Sequence, residues 1–195
     1  MSRIKRRAGF TLIEVTIAML IFTMIIVLFG HILIDGLDNY QYLQYQATAS
    51  QNLSNLLTRV SKVLRGSTQI TDAETNTITV YAYFSPQDAV VDKVRYFVSG
   101  TALEVGVTPP SGIAPNYTYP SANEVITVLS NNLTTSPSPV FTYYDDSGAQ
   151  LASGFSLAQI KQVGIFLSVN PSPHYLPRSV STGTRVTLRN MKTNL

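Results

Sequence analysis

The sequence predicts an α+β protein: one long N-terminal α-helix, apolar in its first half and amphipathic in its second, packed on an antiparallel β-sheet. Three observations predict it. From Gly9 to Ile34 the only ionisable side chains are Glu14 and His31. From Leu33 to Leu64 there is no proline, and apolar residues recur at gaps of three and four with one gap of six. After Gly66 the pattern changes to period two, in short runs bounded by turn residues. A helix followed only by strands must bury its stripe on them, which is the α+β solution.

The first element is the apolar segment. At about 1.5 Å per helical residue it can cross a hydrocarbon core of roughly 30 Å. Arg3, Lys5, Arg6 and Arg7 precede it, and polar residues follow from Asp35. A cleaved secretory signal has a shorter apolar core closed by a small-x-small site, and GHILIDGLD is a poor match to one. A plain anchor explains the length and the leader charges. It leaves Glu14 unexplained, because a carboxylate at mid-bilayer costs about 2.5–3.5 kcal/mol. Glycine costs about 1 kcal/mol relative to alanine inside a helix, so Gly30 and Gly36 mark a weak zone expected to bend or melt locally. His31 lies in that zone as an interfacial polar residue.

The amphipathic half carries Leu33, Leu37, Tyr40, Leu43, Ala47, Leu53, Leu56, Leu57, Val60, Val63 and Leu64 on the face expected to meet the sheet. Tyr40, Tyr42 and Tyr45 are expected to pack there or on neighbouring chains. Lys62, Arg65 and Gly66 read as a helix C-terminus. One helix from Thr11 to Arg65 would be roughly 80 Å long. Beyond it, strands are predicted at Thr77–Phe84, Lys93–Val98, Thr101–Val107, Val125–Leu129, Val140–Tyr144, Ala149–Leu151, Gln159–Asn170 and Thr184–Asn190. Ser99-Gly100 and Asp145-Asp146-Ser147-Gly148 read as hairpin turns. Pro109–Ala122, Asn131–Pro139 and Pro171–Gly183 read as loops. The organisation is therefore a leader at 1–9, a membrane-crossing half-helix at 10–34, an amphipathic half-helix at 35–66 and a β-domain at 67–195.

Composition narrows the function classes. The net charge is +3, but setting aside Arg3, Lys5, Arg6 and Arg7 leaves 10 Lys+Arg against 11 Asp+Glu. The basic balance belongs to the leader, and no basic face points to nucleic acid. Leader cations suit retention on the cytoplasmic side, with the C-terminal part outside. There is no cysteine, hence no disulfide and no thiol site.

The run Lys5-Arg6-Arg7-Ala8-Gly9-Phe10-Thr11-Leu12-Ile13-Glu14-Val15 resembles the prepilin processing motif of type IV pilins and type II secretion pseudopilins. The resemblance implies cleavage by a prepilin peptidase between Gly9 and Phe10 and N-methylation of Phe10. It also implies an anchor retained for filament assembly. Glu14 would then pair with the Phe10 amine of a neighbouring subunit, where water is absent and unpaired charge is disfavoured. The implied partners are other pilin subunits through the N-terminal helix, the prepilin peptidase and an inner-membrane assembly platform. The implied location is the membrane, N-terminus cytoplasmic, and then a surface or periplasmic filament. The run Pro139–Leu151, Ile160–Val169 and Thr184–Asn190 resembles the C-terminal half of minor pilins and minor pseudopilins. The missing cysteines exclude the disulfide-closed loop frequent in major pilins. The alternatives are a major pilin, a filament-displayed adhesin or DNA-uptake subunit, and a membrane-anchored domain that does not assemble.

No catalytic, cofactor or metal constellation is expected, and the chain reads as a non-enzyme. His174 has no HxxxH or HxxE partner. Asp145-Asp146-Ser147-Gly148 lacks the alternating acids and distal Glu of a calcium loop. No P-loop, GxSxG or GxGxxG occurs. The other carboxylates are scattered. Tyr117, Tyr119 and Tyr175 sit in Pro-rich loops.

Overall fold

A helix-favouring, proline-free sequence runs unbroken through Gly30 and Gly36, and helix α1 accordingly spans Leu12–Arg65, 54 residues. The computed structural model describes residues 9–134, 139–171 and 179–189. The leader cations, His174, Tyr175 and Asn190 lie outside the described residues. The chain divides into two compact units, Met1–Gln44 and Tyr45–Leu195.

From Leu12 to Ile34, within the first unit, the helix is apolar on all sides. The consecutive residues Ile25, Ile26, Val27 and Leu28, which together go once round it, are all exposed. Its hydroxyls are satisfied internally. Thr16 Oγ1 donates to the Ile13 carbonyl at 2.9 Å and Thr23 Oγ1 to those of Met19 and Leu20 at 3.0 and 2.9 Å. That suits an apolar solvent, where an unpaired polar group is expensive. Mean hydropathy reaches 2.8 over an 18-residue window, long and apolar enough to cross a membrane.

In the second unit the helix buries one stripe: Leu53, Leu56, Leu57, Val60 and Leu64, spaced at three and four residues. Lys62 and Arg65 stand in its last turn, and the Gly66 N–H closes it onto the Lys62 and Val63 carbonyls. The expected sheet-packing face is shorter than the apolar pattern. Leu33, Leu37, Tyr40 and Leu43 keep about 60 % exposure or more. A repeating stripe states that a face will be covered somewhere and does not state by what.

Among the described residues the strands are all antiparallel and form three sheets rather than one. β1 (Gln69–Ala73), β2 (Thr77–Ala82), β3 (Asp92–Ser99), β4 (Ala102–Thr108) and β7 (Val125–Ser130) make a five-stranded sheet in the order β1-β2-β3-β4-β7. β5 (Ser111–Ile113) and β6 (Asn116–Thr118) form a separate hairpin between β4 and β7. β8 (Phe141–Tyr144), β9 (Gln162–Val169) and β10 (Val180–Thr187) make a three-stranded sheet with β9 central. The inner rows pair in register: Ile78 with Tyr96, Val80 with Val94, and Tyr96 with Val105. Together with Phe141, Val163, Ile165 and Leu167 of the second sheet and the helix stripe they form one core. Asn132, at φ 60°, turns the chain out of β7. Leu133 then bonds back to Thr101 and Thr134 forward to Ser168, both at 2.8 Å, which ties the two sheets together.

Several strand expectations need correction. β1 was not expected, since Ile70 is its single large apolar residue. Pro109–Ala122 is not plain loop: it holds β5, β6 and a 3-10 turn at Ser121–Asn123. Ala149–Leu151 is no strand; it touches β8 only through the Tyr144–Gln150 bridge and the Leu151 N–H on the Tyr143 carbonyl. The β3–β4 turn is Gly100-Thr101 rather than Ser99-Gly100, because Ser99 pairs with Ala102 and Gly100 takes φ 60°. That is glycine's position in a type II′ turn. β10 begins at Val180, so the loop before it is shorter than expected.

Leu64 is fully buried whereas Leu37 is 62 % exposed. Leu64→Ala is therefore expected to cost about 2–5 kcal/mol in the urea unfolding of the β-domain. Leu37→Ala should stay within about 0.5 kcal/mol of the parent.

Candidate functional site

The site is built where the helix begins. Thr11 stands just before the first helical residue, and its carbonyl accepts the Val15 N–H at 3.3 Å. The first backbone N–H groups of a helix have no partner inside it. Here Thr11 and Glu14 satisfy them reciprocally. The Thr11 N–H donates to Glu14 Oε2 at 3.0 Å, while the Glu14 N–H donates to Thr11 Oγ1 at 3.4 Å. The Thr11 hydroxyl also donates to Oε2, at 3.0 Å. This is a capping box. Glu14 Oε1 has no partner among the described residues.

Around this polar knot the surface is apolar. Phe10, Ala18 and Phe22 follow Glu14's own spacing of four along one helix face, flanked by Val15 and Met19. Phe10 is 87 % exposed. A Cβ at Gly9 would meet nothing within 4 Å, so no contact among the described residues demands glycine there. Among the three residues expected to matter, Phe10 and Glu14 thus share one face and Gly9 stands free beside them. Thr11 was not among the expected residues. Its signal was the spacing of Thr11-Leu12-Ile13-Glu14, a T-x-x-E at the mouth of an apolar run.

Residues 4–29 match a family model described as the prokaryotic N-terminal methylation motif. The match ends inside the first unit and leaves the β-domain uncovered. A comparison with curated proteins finds no match.

The β-domain holds two charged arrangements of its own. On the outer face Arg95 grips Glu124 with two bonds, Nε to Oε1 at 2.9 Å and Nη2 to Oε2 at 2.8 Å, and stacks 4.0 Å from the centre of the Phe97 ring. The Glu124 carboxylate lies on Gly106, where a Cβ would collide with it. On the inner face Asp92 follows Tyr96 and Val94 in the buried row, opposite Ala82. Asp92 and Asp88 approach each other, although the carboxylates looked scattered in the sequence. Burial pushes the Asp92 carboxyl up to about 6, and a hydrogen bond to the Asp88 carboxylate and its charge push the same way. The loop beside them is fixed by the Asp88 carboxylate on the Ser85 N–H at 2.6 Å and by Tyr119, whose hydroxyl donates to the Val91 carbonyl at 2.8 Å.

The turn acids are used locally. Asp145 Oδ1 accepts from the Ser147 hydroxyl at 2.6 Å and the Ala149 N–H at 2.9 Å, the pattern of a turn. No group of three or more metal-ligating side chains occurs among the described residues. His31 is exposed on the helix.

Because folding raises the Asp92 carboxyl from its ordinary 3.8 to about 6, the folded state holds that proton more tightly than the unfolded chain. Its contribution to stability is greatest below pH 4 and falls away as pH rises through 6. Asp92→Asn keeps a donor toward Asp88 and removes the charge. It is expected to raise the urea midpoint of the β-domain at pH 7.5 and leave it unchanged at pH 4.

Proposed function

We propose that this chain is a structural subunit of a type IV pilus-like or type II secretion-like filament, of the minor pilin or minor pseudopilin kind. It is made as a membrane precursor with its N-terminus in the cytoplasm. Prepilin peptidase hydrolyses the bond between Gly9 and Phe10, and a methyl group is transferred to the freed Phe10 amine. The observation that carries this reading is the match of residues 4–29 to the N-terminal methylation motif. The surroundings of Gly9 support it: glycine there answers no packing or conformational need among the described residues, so the requirement lies with an external reader. The exposure of Phe10 leaves the scissile bond open to that reader.

The capping box gives Glu14 two jobs on two oxygens. Oε2 closes the helix start through Thr11, and Oε1 is left to accept from the cationic amine of a neighbour. Methylation keeps that amine positive, so the pair survives processing. In hydrocarbon, breaking such a pair costs about 3–5 kcal/mol, which favours subunits stacked in the correct register. The apolar sides of the first unit then pack on neighbouring helices, and the β-domain faces outward. Local melting around Gly30–Gly36 on assembly belongs to this same reading. The absence of cysteine favours a minor over a major subunit.

N-terminal mass analysis of the chain recovered from cells tests the processing step. The expected terminus is a methylated Phe10; an intact Met1 in assembled material would overturn the reading. A second measurement separates capping from pairing. Glutamine closes a capping box as glutamate does but carries no charge. Glu14→Gln should therefore insert into membranes with an intact helix start, yet enter filaments at least about tenfold less, the ratio set by 1.4 kcal/mol. Normal incorporation would reduce Glu14 to a helix cap.

A further inference from the structure

We propose that the free edge of β7 is a docking site for an extended segment of a partner protein, one that adds a sixth strand to the five-stranded sheet and places a carboxylate against Arg59. The proposal concerns the β-domain alone and does not depend on the filament reading.

β7 pairs with β4 on one side, and no hydrogen bond among the described residues reaches its other edge. Such an edge is a row of unpaired donors and acceptors, and proteins ordinarily blunt it with charge, proline or cover. The other edges of the five- and three-stranded sheets are blunted. β1 carries Asp72, β10 carries Arg185, and the outer side of β8 receives the Leu151 N–H at the Tyr143 carbonyl. Among the described residues β7 has no such device. Its sequence VITVLS contains no charge and no proline, and Val125, Ile126 and Val128 are 64, 52 and 50 % exposed. The one neighbouring acid, Glu124, is already held by Arg95.

The space beside this edge is shaped for side chains. A cleft of about 610 Å³ runs between β7 and helix α1, with Thr127 and Leu129 on the sheet side and Asn52, Leu56 and Arg59 on the helix side. Thr127 lies opposite buried Val105, in the row that faces the core. A strand added beyond β7 continues that row, so its alternate side chains enter the cleft beneath the helix. Backbone bonds to β7 supply affinity, and the cleft selects the side chains. Arg59 is the one charged residue lining the cleft and has no ion-pair partner among the described residues. The fitting occupant is therefore an extended, β-branched segment with one Asp or Glu. A second copy of the chain fits less well, since its own free strand edge at β7 brings no carboxylate to Arg59.

The test is selection of a phage-displayed random heptapeptide library on the full chain in detergent micelles. The expected winners alternate β-branched residues and carry one acid. Synthesised, they should lose at least about tenfold in affinity with Val128→Lys, an exposed substitution that blunts the edge without touching the core. Arg59→Glu should turn the selection toward peptides bearing Lys or Arg. No enrichment, or binding indifferent to both substitutions, would overturn the proposal. So would sedimentation showing that the unmodified chain self-associates and that Val128→Lys alone dissociates it, for then a second copy occupies the edge.

Discussion

The two sheets of the β-domain share one lid, the stripe Leu53, Leu56, Leu57, Val60 and Leu64. Each sheet by itself has an inner row with nothing over it. β2, β3 and β4 offer Ile78, Val80, Val94, Tyr96 and Val105, and β8 and β9 offer Phe141, Val163, Ile165 and Leu167. The stripe closes both rows into one core, and fully burying each such side chain is worth about 1.5–3 kcal/mol. The polar fastenings follow from that arrangement. Tyr143 is buried in the core, and its hydroxyl donates outward to the Glu74 and Thr77 carbonyls at 2.7 and 3.2 Å. Burial lifts that phenol well above its ordinary range, which favours the protonated, donating form.

One helix thus answers to two solvents. In the β-domain it obeys the rule of an amphipathic surface helix, with a single buried face. From Thr11 to Ile34 its hydroxyls follow the rule of hydrocarbon, where a polar group finds a partner on its own backbone or cap. Thr11, Thr16 and Thr23 each do so. Glu14 meets the rule with one oxygen of its carboxylate and leaves the other without a partner among the described residues.

The long helix was legible because periodicity, proline absence and Gly66 all agreed. The β3–β4 hairpin was legible because turn residues separated two period-two runs. β1 was not, since QITDA offers one apolar anchor and owes its strand state to pairing with β2. β5 and β6 were hidden for a related reason: three residues each, inside a Pro- and Tyr-rich stretch, carry no period. The Asp88–Asp92 approach could not be seen because the bend over 85–91, not a repeat, brings the carboxyls together. At the helix start the spacing of Thr11 and Glu14 was plain, but an acid in an apolar run points first to its charge. Where the apolar stripe of the helix stops being buried was not legible at all, because Leu43 and Leu53 look alike in sequence and differ only in what lies over them.

The hairpin β5–β6 is an excursion from a finished sheet. β4 and β7 pair directly, from Val107 with Val125 onward, and the chain between them leaves and returns to that seam. Its return is anchored twice, by Tyr119 on Val91 and by Glu124 on Arg95. Its tip is not: Ile113 is 86 % exposed. Exposed tips of this kind accept inserted sequence without cost to the scaffold. The stretch at Ala114-Pro115 is therefore a natural attachment point for an epitope or a fluorophore, a handle that reports on the domain from outside both its core and its open edge.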